Sequence, residues 1–321
     1  MRQGQETGQG VAVLIPCYNE ERTIRRVVEE FRATLPEAAV YVYDNNSSDR
    51  TWEEAEAGGA EVRREGHKGK GRVVRRMFAE IEADYYVLVD GDGTYDASAA
   101  PDLLALARQQ CLAMVVARRI EDSVEAYRPG HVLGNKLFTK TVAALFGTAF
   151  TDILSGYRVF SRPFVKSFPV FTDGFEIETE LTVHALTLAL PVGQIDTVYR
   201  ERAMGSQSKL RTYRDGLRIL LMILILMKNE KPLAFFSALS LAFLLAALVM
   251  AYPIAVTYLR TGLVPRLPTA TLATGLALSS QLMFTCGLIL ETVSKGRHEA
   301  KLLAYLSARD SHPQQRVSVK Q

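Results

Sequence analysis

Two long stretches of this chain, residues 233–259 and 267–290, contain no charged residue. Each exceeds the roughly 20 residues that an α-helix needs to cross a hydrocarbon core. A short loop with Pro265 and Pro268 joins them. The pair therefore reads as a transmembrane helical hairpin over residues 232–294, the other reading being two very apolar core helices. Lys228, Lys231, Lys295, Arg297 and Lys301 flank the outer ends, whereas the connecting loop carries only Arg260 and Arg266. Basic residues concentrate on the cytoplasmic side of membrane proteins, so both termini are predicted to be cytoplasmic. Just upstream, residues 219–227 form a shorter apolar run among Arg211, Arg214, Arg218, Lys228 and Lys231. It is too short to span and suits an amphipathic helix lying in the interface, residues 211–231, in preference to a buried core helix. Residues 295–321 are read as a cytoplasmic tail.

The chain before residue 211 has the texture of a soluble domain. The first ten residues are polar, rich in Gly and Gln, and read as a disordered tail. Residues 11–15 are an apolar run, and residues 40–43 are a second. The run Val87-Leu-Val89, residues 112–117 and residues 195–199 continue the series. Between them lie helical patterns at 20–35, from 52, at 72–83 and at 101–110. Ile24, Val27, Val28 and Phe31 mark one face of the first. A helix is also read over 135–146 and another from about 174 to 190. Strands alternating with helices predict an α/β domain, residues 11–210, with a mostly parallel sheet flanked by helices. No Gly-x-Gly-x-x-Gly follows the first strand and no P-loop is present, so a dinucleotide site is disfavoured. A formal net charge of +3 over 321 residues gives no case for nucleic acid. Three widely spaced cysteines, Cys17, Cys111 and Cys286, offer no disulfide framework and no zinc spacing.

Chemistry concentrates where the central strand stops. Val89 is followed by Asp90-Gly-Asp92-Gly-Thr-Tyr-Asp96. Two crowded carboxylates with no base among them repel unless a cation lies between them. At the carboxyl end of a strand, where open α/β sheets bind ligands, Asp90 and Asp92 are candidate ligands for Mg²⁺ or Mn²⁺. The bland alternative is a solvated acidic turn. Lys70, between Gly69 and Gly71, sits where backbone can approach a phosphate closely. Arg118, Arg119 and Arg128 form a basic patch past a strand end. In the helix from 174, Glu176 and Glu180 share one face and Glu178 points away.

Six motifs recur in one order: Ile15-Pro-Cys-Tyr-Asn-Glu20, Asp44-Asn-Asn-Ser-Ser-Asp-Arg-Thr51, Gly69-Lys-Gly71, Asp90-Gly-Asp92, Ser155-Gly-Tyr-Arg158 and Arg202-x-x-Gly205-x-x-Ser208-Lys-Leu210. With them the chain resembles the family-2 nucleotide-sugar glycosyltransferases of the GT-A fold. Within these it is similar to the polyprenyl-phosphate group of dolichol-phosphate mannose synthase and the bacterial undecaprenyl-phosphate glucosyltransferases. The resemblance implies a Rossmann-like GT-A domain that moves a hexose from a UDP- or GDP-linked sugar to a polyprenyl phosphate, at the cytoplasmic face of the inner membrane. It implies nucleotide-sugar contacts at Pro16, Tyr18, Glu20, Asp44, Asn46, Lys70, Arg202 and Lys209. Asp90 and Asp92 become the metal-binding catalytic pair. Arg118, Arg119, Arg128, Ser155 and Gly156 fall at the acceptor, with Asp152 shaping the same pocket, and a homo-oligomer is compatible with this plan. The chain departs from the pattern at Gly93-Thr-Tyr-Asp96, where many relatives carry Gln-His-Pro, and at Tyr43-Asp44-Asn45, which replaces a pair of acids. Trp52 is the only tryptophan, so the Gln-x-x-Arg-Trp segment of processive polysaccharide synthases of this fold is absent. A non-catalytic membrane scaffold is the remaining alternative.

Overall fold

In the computed structural model, residues 10–121, 152–169, 177–200, 221 and 224–310 are described. The chain divides into two compact units, Met1–Thr212 with Lys301–Gln321, and Tyr213–Ala300.

The first unit is built on one sheet. Its strands are β1 (Val11–Cys17), β2 (Ala39–Asp44), β3 (Glu61–Arg64), β4 (Tyr85–Leu88), β5 (Met114–Glu121), β6 (Arg158–Ser161) and β7 (Val192–Tyr199). They lie in the order β3-β2-β1-β4-β6-β5-β7. All pairings are parallel except those of β6, which runs antiparallel to both β4 and β5. The mostly parallel sheet expected from the alternation is thus present, with one reversed strand inserted. Strand β3 was not legible as a strand. It is four residues long, sits at the sheet edge and reads Glu-Val-Arg-Arg.

Helices cover the sheet for the reason their sequences give. Helix α1 (Ile24–Thr34) buries Ile24, Val27, Val28 and Phe31, the i, i+3, i+4, i+7 stripe that faces a core. Phe31 meets Tyr157 edge to face, with ring centroids 5.9 Å apart. Burial of such a side chain contributes about 1.5–3 kcal/mol. Next come α2 (Thr51–Ala57), α3 (Lys70–Glu80) and α4 (Ala100–Gln109). After β6 follow α5 (Arg162–Ser167) and α6 (Ile177–Thr187). In α6 nearly every described residue is buried, Glu178 included.

The sheet order fixes where a ligand can sit. From β1 the chain winds outward through β2 to β3, then returns to place β4 on the other side of β1. Between β1 and β4 the loops therefore leave in opposite directions, and a crevice opens at the carboxyl ends of the strands. The loops after β1, β2 and β4 carry the motifs singled out above.

The second unit holds α7 (Pro232–Thr261) and most of α8 (Leu267–Asp310), helices long and apolar enough to cross a membrane. At 1.5 Å per residue they run about 45 Å and 66 Å. Whereas the core helix of a soluble protein is mostly buried, only 6% of the most apolar window of α7 is buried. Its leucines face outward, among them Leu241, Leu245 and Leu248. Polar groups meet between the helices: Ser280 Oγ donates to the Ser240 carbonyl at 2.9 Å. Gly287 lets Phe236 close in, since a Cβ there would lie 3.0 Å from the Phe236 Cβ. At the open end, His298 Nε2 lies 2.9 Å from Glu230, and Arg297 donates to the Asn229 carbonyl. Within residues 295–321, read as a cytoplasmic tail, α8 continues to Asp310. Of the expected interfacial segment, residues 221 and 224–230 are helical, and most of the remainder lies outside the described residues.

Candidate active site

The loops after β1 and β2 are tied to each other. Asn19 adopts a left-handed φ of 56°. Its N–H donates to Ser47 Oγ at 2.9 Å, and its side-chain oxygen accepts from the Ser48 N–H at 2.9 Å. The Glu20 N–H donates to Thr51 Oγ1 at 2.8 Å, and the Glu20 carbonyl starts the turn into α1. Pro16 lies within β1 beside Tyr43. Lys68 Nζ lies 5.2 Å from the centroid of the Tyr18 ring and donates to its hydroxyl at 3.3 Å. Asp44, at the end of β2, is fully buried. Its Oδ1 accepts from the Ser47 N–H at 3.1 Å. Its Oδ2 makes no hydrogen bond among the described residues and faces Arg64 Nε at 3.4 Å. Asn46 is exposed and left-handed, with φ 62°.

Asn45 explains one departure from the family pattern. Its Nδ2 donates to the carbonyls of Glu65 and His67, at 3.3 and 2.7 Å, while its Oδ1 accepts from the Gly69 N–H at 2.8 Å. Only an amide both gives and receives in this way. Asn45 therefore fastens the loop that delivers Lys70 to α3.

Asp90 and Asp92 follow β4 as expected. Asp92 Oδ1 accepts from the Thr94 hydroxyl and N–H, at 2.6 and 3.2 Å. Gly91 passes so close to β1 that a Cβ would fall 2.4 Å from Cys17 Sγ. Lys70 Nζ donates to Asp90 Oδ1 at 2.5 Å and also to Glu178 Oε1. Burial alone would push the Lys70 ammonium down, but the two carboxylates outweigh it and hold its pKa above the usual lysine range. Glu178 joins this cluster, although the sequence does not single it out as a site residue. Helical spacing says that Glu178 and Glu176 lie on different faces; it does not say which face is buried.

The turn before β6 closes the site from the other side. Ser155 Oγ donates to the Ala117 carbonyl at 2.6 Å, and the Gly156 N–H donates to Tyr95 Oη at 2.8 Å. A Cβ on Gly156 would lie 2.4 Å from Asp90 Oδ2, so the absence of a side chain is what gives that carboxylate room. Arg158 is fully buried and holds the turn by donating to the Ser155 and Ile153 carbonyls and to Thr182 Oγ1. Burial lowers its pKa to about 10.

The structure does not join Arg118 and Arg119 in one patch. Neighbours along a strand face opposite sides of the sheet. Arg118 forks onto Asp196 of β7, at its own register position. Arg119 forks onto Asp152, with both contacts at 2.8 Å, and its guanidinium lies 5.4 Å from the Tyr199 ring. Burial would raise the Asp152 carboxyl, yet the hydrogen bonds and charge of Arg119 hold it below the usual range. Arg128, Arg202 and Lys209 lie outside the described residues.

Among the described residues, no three His, Cys, Asp or Glu side chains converge on a metal-sized space. Mg²⁺ and Mn²⁺ do not need such a cage when a substrate supplies phosphate oxygens. Asp90 and Asp92, with the room left by Gly156, fit a divalent ion of that kind.

Against known proteins, the family model described as Glycosyl transferase family 2 matches residues 12–168. Glycosyltransferase AglJ of Haloferax volcanii is 35% identical over 242 residues, covering 74% of this chain and 78% of the relative. A dolichyl-phosphate hexose transferase of the same organism is 26% identical over 213 residues, 66% of this chain and 92% of the relative. Among solved structures, glucosyl-3-phosphoglycerate synthase from Mycobacterium tuberculosis, in complex with Mn²⁺, UDP-glucose and phosphoglyceric acid, superposes with a TM-score of 0.55. It is 24% identical and covers 67% of this chain and 80% of that one, a likeness of fold.

Proposed function

Because this chain belongs to glycosyl transferase family 2, we propose that it transfers a hexose from a nucleotide sugar, UDP-glucose-like or GDP-mannose, to a polyprenyl phosphate at the cytoplasmic membrane face. The observation that carries the reading is the convergence of Asp90, Asp92 and Lys70 in the β1/β4 crevice, in a chain that also has two membrane-length helices. A relative named for dolichyl-phosphate hexose transfer supports the acceptor class, and a structural neighbour bound to Mn²⁺ and UDP-glucose supports the donor class and the ion.

The chemistry asks little of a general base. A lipid phosphate is anionic at neutral pH, and one of its oxygens attacks the anomeric carbon directly. The bond from that carbon to the diphosphate oxygen breaks, and the nucleoside diphosphate leaves with the electron pair. The products are polyprenyl-phosphate-sugar and nucleoside diphosphate. Asp90 and Asp92 would hold Mg²⁺ or Mn²⁺, which supplies charge neutralisation at the departing diphosphate. Pro16, Tyr18, Glu20, Asp44 and Asn46 line the nucleotide end, and Asp44 Oδ2, ion-paired with Arg64 but without a hydrogen bond among the described residues, is an acceptor suited to a base or ribose donor. Ser155 and Gly156 set the sugar side of Asp90. Arg119, braced by Asp152 beside that turn, is assigned to the acceptor side, and the family resemblance assigns further phosphate contacts to Arg128, Arg202 and Lys209. In this reading residues 11–210 are the catalytic domain, 211–231 lie in the interface and 232–294 span the inner membrane. Both termini are then cytoplasmic.

The test is a screen of radiolabelled UDP- and GDP-hexoses with polyprenyl phosphate and Mg²⁺ or Mn²⁺. Label from one donor should move into the organic-extractable lipid. Label that enters a polymer, or no lipid at all, contradicts the proposal.

A further inference from the structure

Lys70 is an odd choice for its position. It opens α3, and a cation at a helix N-terminus is disfavoured by the helix dipole. Its side chain is nonetheless 12% exposed and engaged with two carboxylates from distant parts of the chain. Asp90 follows β4, and Glu178 stands in the first turn of α6, 108 residues from Lys70. Of the two, Glu178 is the more deeply buried, with 7% of its side chain exposed against 29% for Asp90. The cluster of one ammonium and two carboxylates carries a net negative charge, which Asp92 increases.

That arrangement sets up a competition. An ion bound by Asp90 and Asp92 places two positive charges beside the Lys70 ammonium on a shared carboxylate, and like charges at such range repel. A buried lysine cannot be left without a counter-charge. Glu178 is outside the Asp90-x-Asp92 pair and remains available to it. The ammonium has three N–H donors, so a lysine released by Asp90 keeps Glu178 and has donors to spare for a diphosphate oxygen.

We propose that Lys70 is an internal counter-cation that competes with the divalent ion for Asp90, and that Glu178 is the positioning residue that retains Lys70 when the ion binds. The proposal rests on the metal-dependent reading above. It makes ion binding weak while Lys70 is held by Asp90 and Glu178, its carboxylate partners among the described residues, and stronger once a nucleoside diphosphate offers it another. Ion and nucleotide then bind with positive coupling, each favouring the other by the same factor.

The experiment is titration of Mn²⁺ alone into full-length protein in detergent, with free Mn²⁺ read by electron paramagnetic resonance, then repeated with UDP and with GDP. Without nucleotide, Lys70→Gln should bind Mn²⁺ roughly tenfold tighter than the wild type, the least expected from removing a like charge at close range. Glu178→Gln, which leaves Asp90 as the one carboxylate on Lys70 among the described residues, should bind Mn²⁺ about threefold weaker or worse by the same reasoning. Equal or weaker Mn²⁺ binding by folded Lys70→Gln overturns the proposal. Thermal unfolding reports whether each variant folds. If Lys70→Gln does not, unchanged Mn²⁺ affinity in Glu178→Gln overturns it instead. Absence of Mn²⁺ binding by the wild type, with or without nucleotide, overturns the metal-dependent reading itself and is distinct from either variant result.

Discussion

His184 is a buried imidazole kept neutral by its surroundings. Phe164 and Phe168 pack edge-on against its ring, each with a centroid 5.1 Å away, and Nε2 meets Ser167 Oγ at 3.3 Å. Burial, helped by the charge of Lys301, pushes its pKa down to about 3. The unfolded chain has an ordinary histidine near 6.5. Below that value the unfolded state takes up a proton that the folded state refuses, so stability is complete above about pH 6.5 and falls as pH is lowered toward 3. The slope is at most about 1.4 kcal/mol per pH unit. Unfolding measured between pH 7 and 5 should show this loss, and His184→Gln should flatten it; an unchanged slope would mean that His184 is solvated or charged in the fold. Residues such as this, and Asn45, also mark the limit of what a sequence displays. Asp90 and Asp92 stood out because an apolar strand ends on them. The double role of Asn45 was invisible, because the carbonyls of Glu65 and His67 reach it only in the folded loop.

At the scale of elements, the site depends on β6 and its turn pressing against the end of β4. Gly156 is the contact point, and the Cβ of Gly156→Ala would fall 2.4 Å from Asp90 Oδ2. That oxygen is at the tip of a side chain, so the fold can yield, but only by turning Asp90 away. Gly156→Ala should therefore lower transfer about tenfold or more while costing about 1–3 kcal/mol of stability or less, the range for a modest overpacking. A thermal shift together with initial rates separates the two; full activity would show that Asp90 need not hold that rotamer. The strands and helices that surround this contact were readable where their patterns were strong, as in β1, β4 and α1. Strand β3 was not, because an edge strand keeps polar side chains. Glu178 does not stand out in the sequence because most of α6 is buried, so no polar face remains to orient the helix. The patch of Arg118 and Arg119 dissolved for a related reason: Asp196 and Asp152 are distant in sequence and reach these arginines only through the sheet.

For the whole molecule, the proposal joins a soluble fold to a lipid substrate. A polyprenyl tail is costly to withdraw from hydrocarbon, so the catalytic domain must work where the headgroups are. On this proposal helices α7 and α8 would supply the anchor, their outward leucines facing lipid. Membranes carrying the full chain should retain it through carbonate washing and release it to detergent. Release by carbonate would contradict membrane spanning. The central claim, a metal-dependent sugar transfer to a lipid phosphate, is tested most directly by one comparison: lipid-extractable product formed by the wild type, by Asp92→Asn and by the wild type in EDTA. The account predicts label in the lipid with the wild type, a drop of about 100-fold or more in Asp92→Asn, as loss of several kcal/mol of charge stabilisation implies, and a loss in EDTA that Mg²⁺ or Mn²⁺ restores. Undiminished transfer by folded Asp92→Asn, or in EDTA, would contradict it.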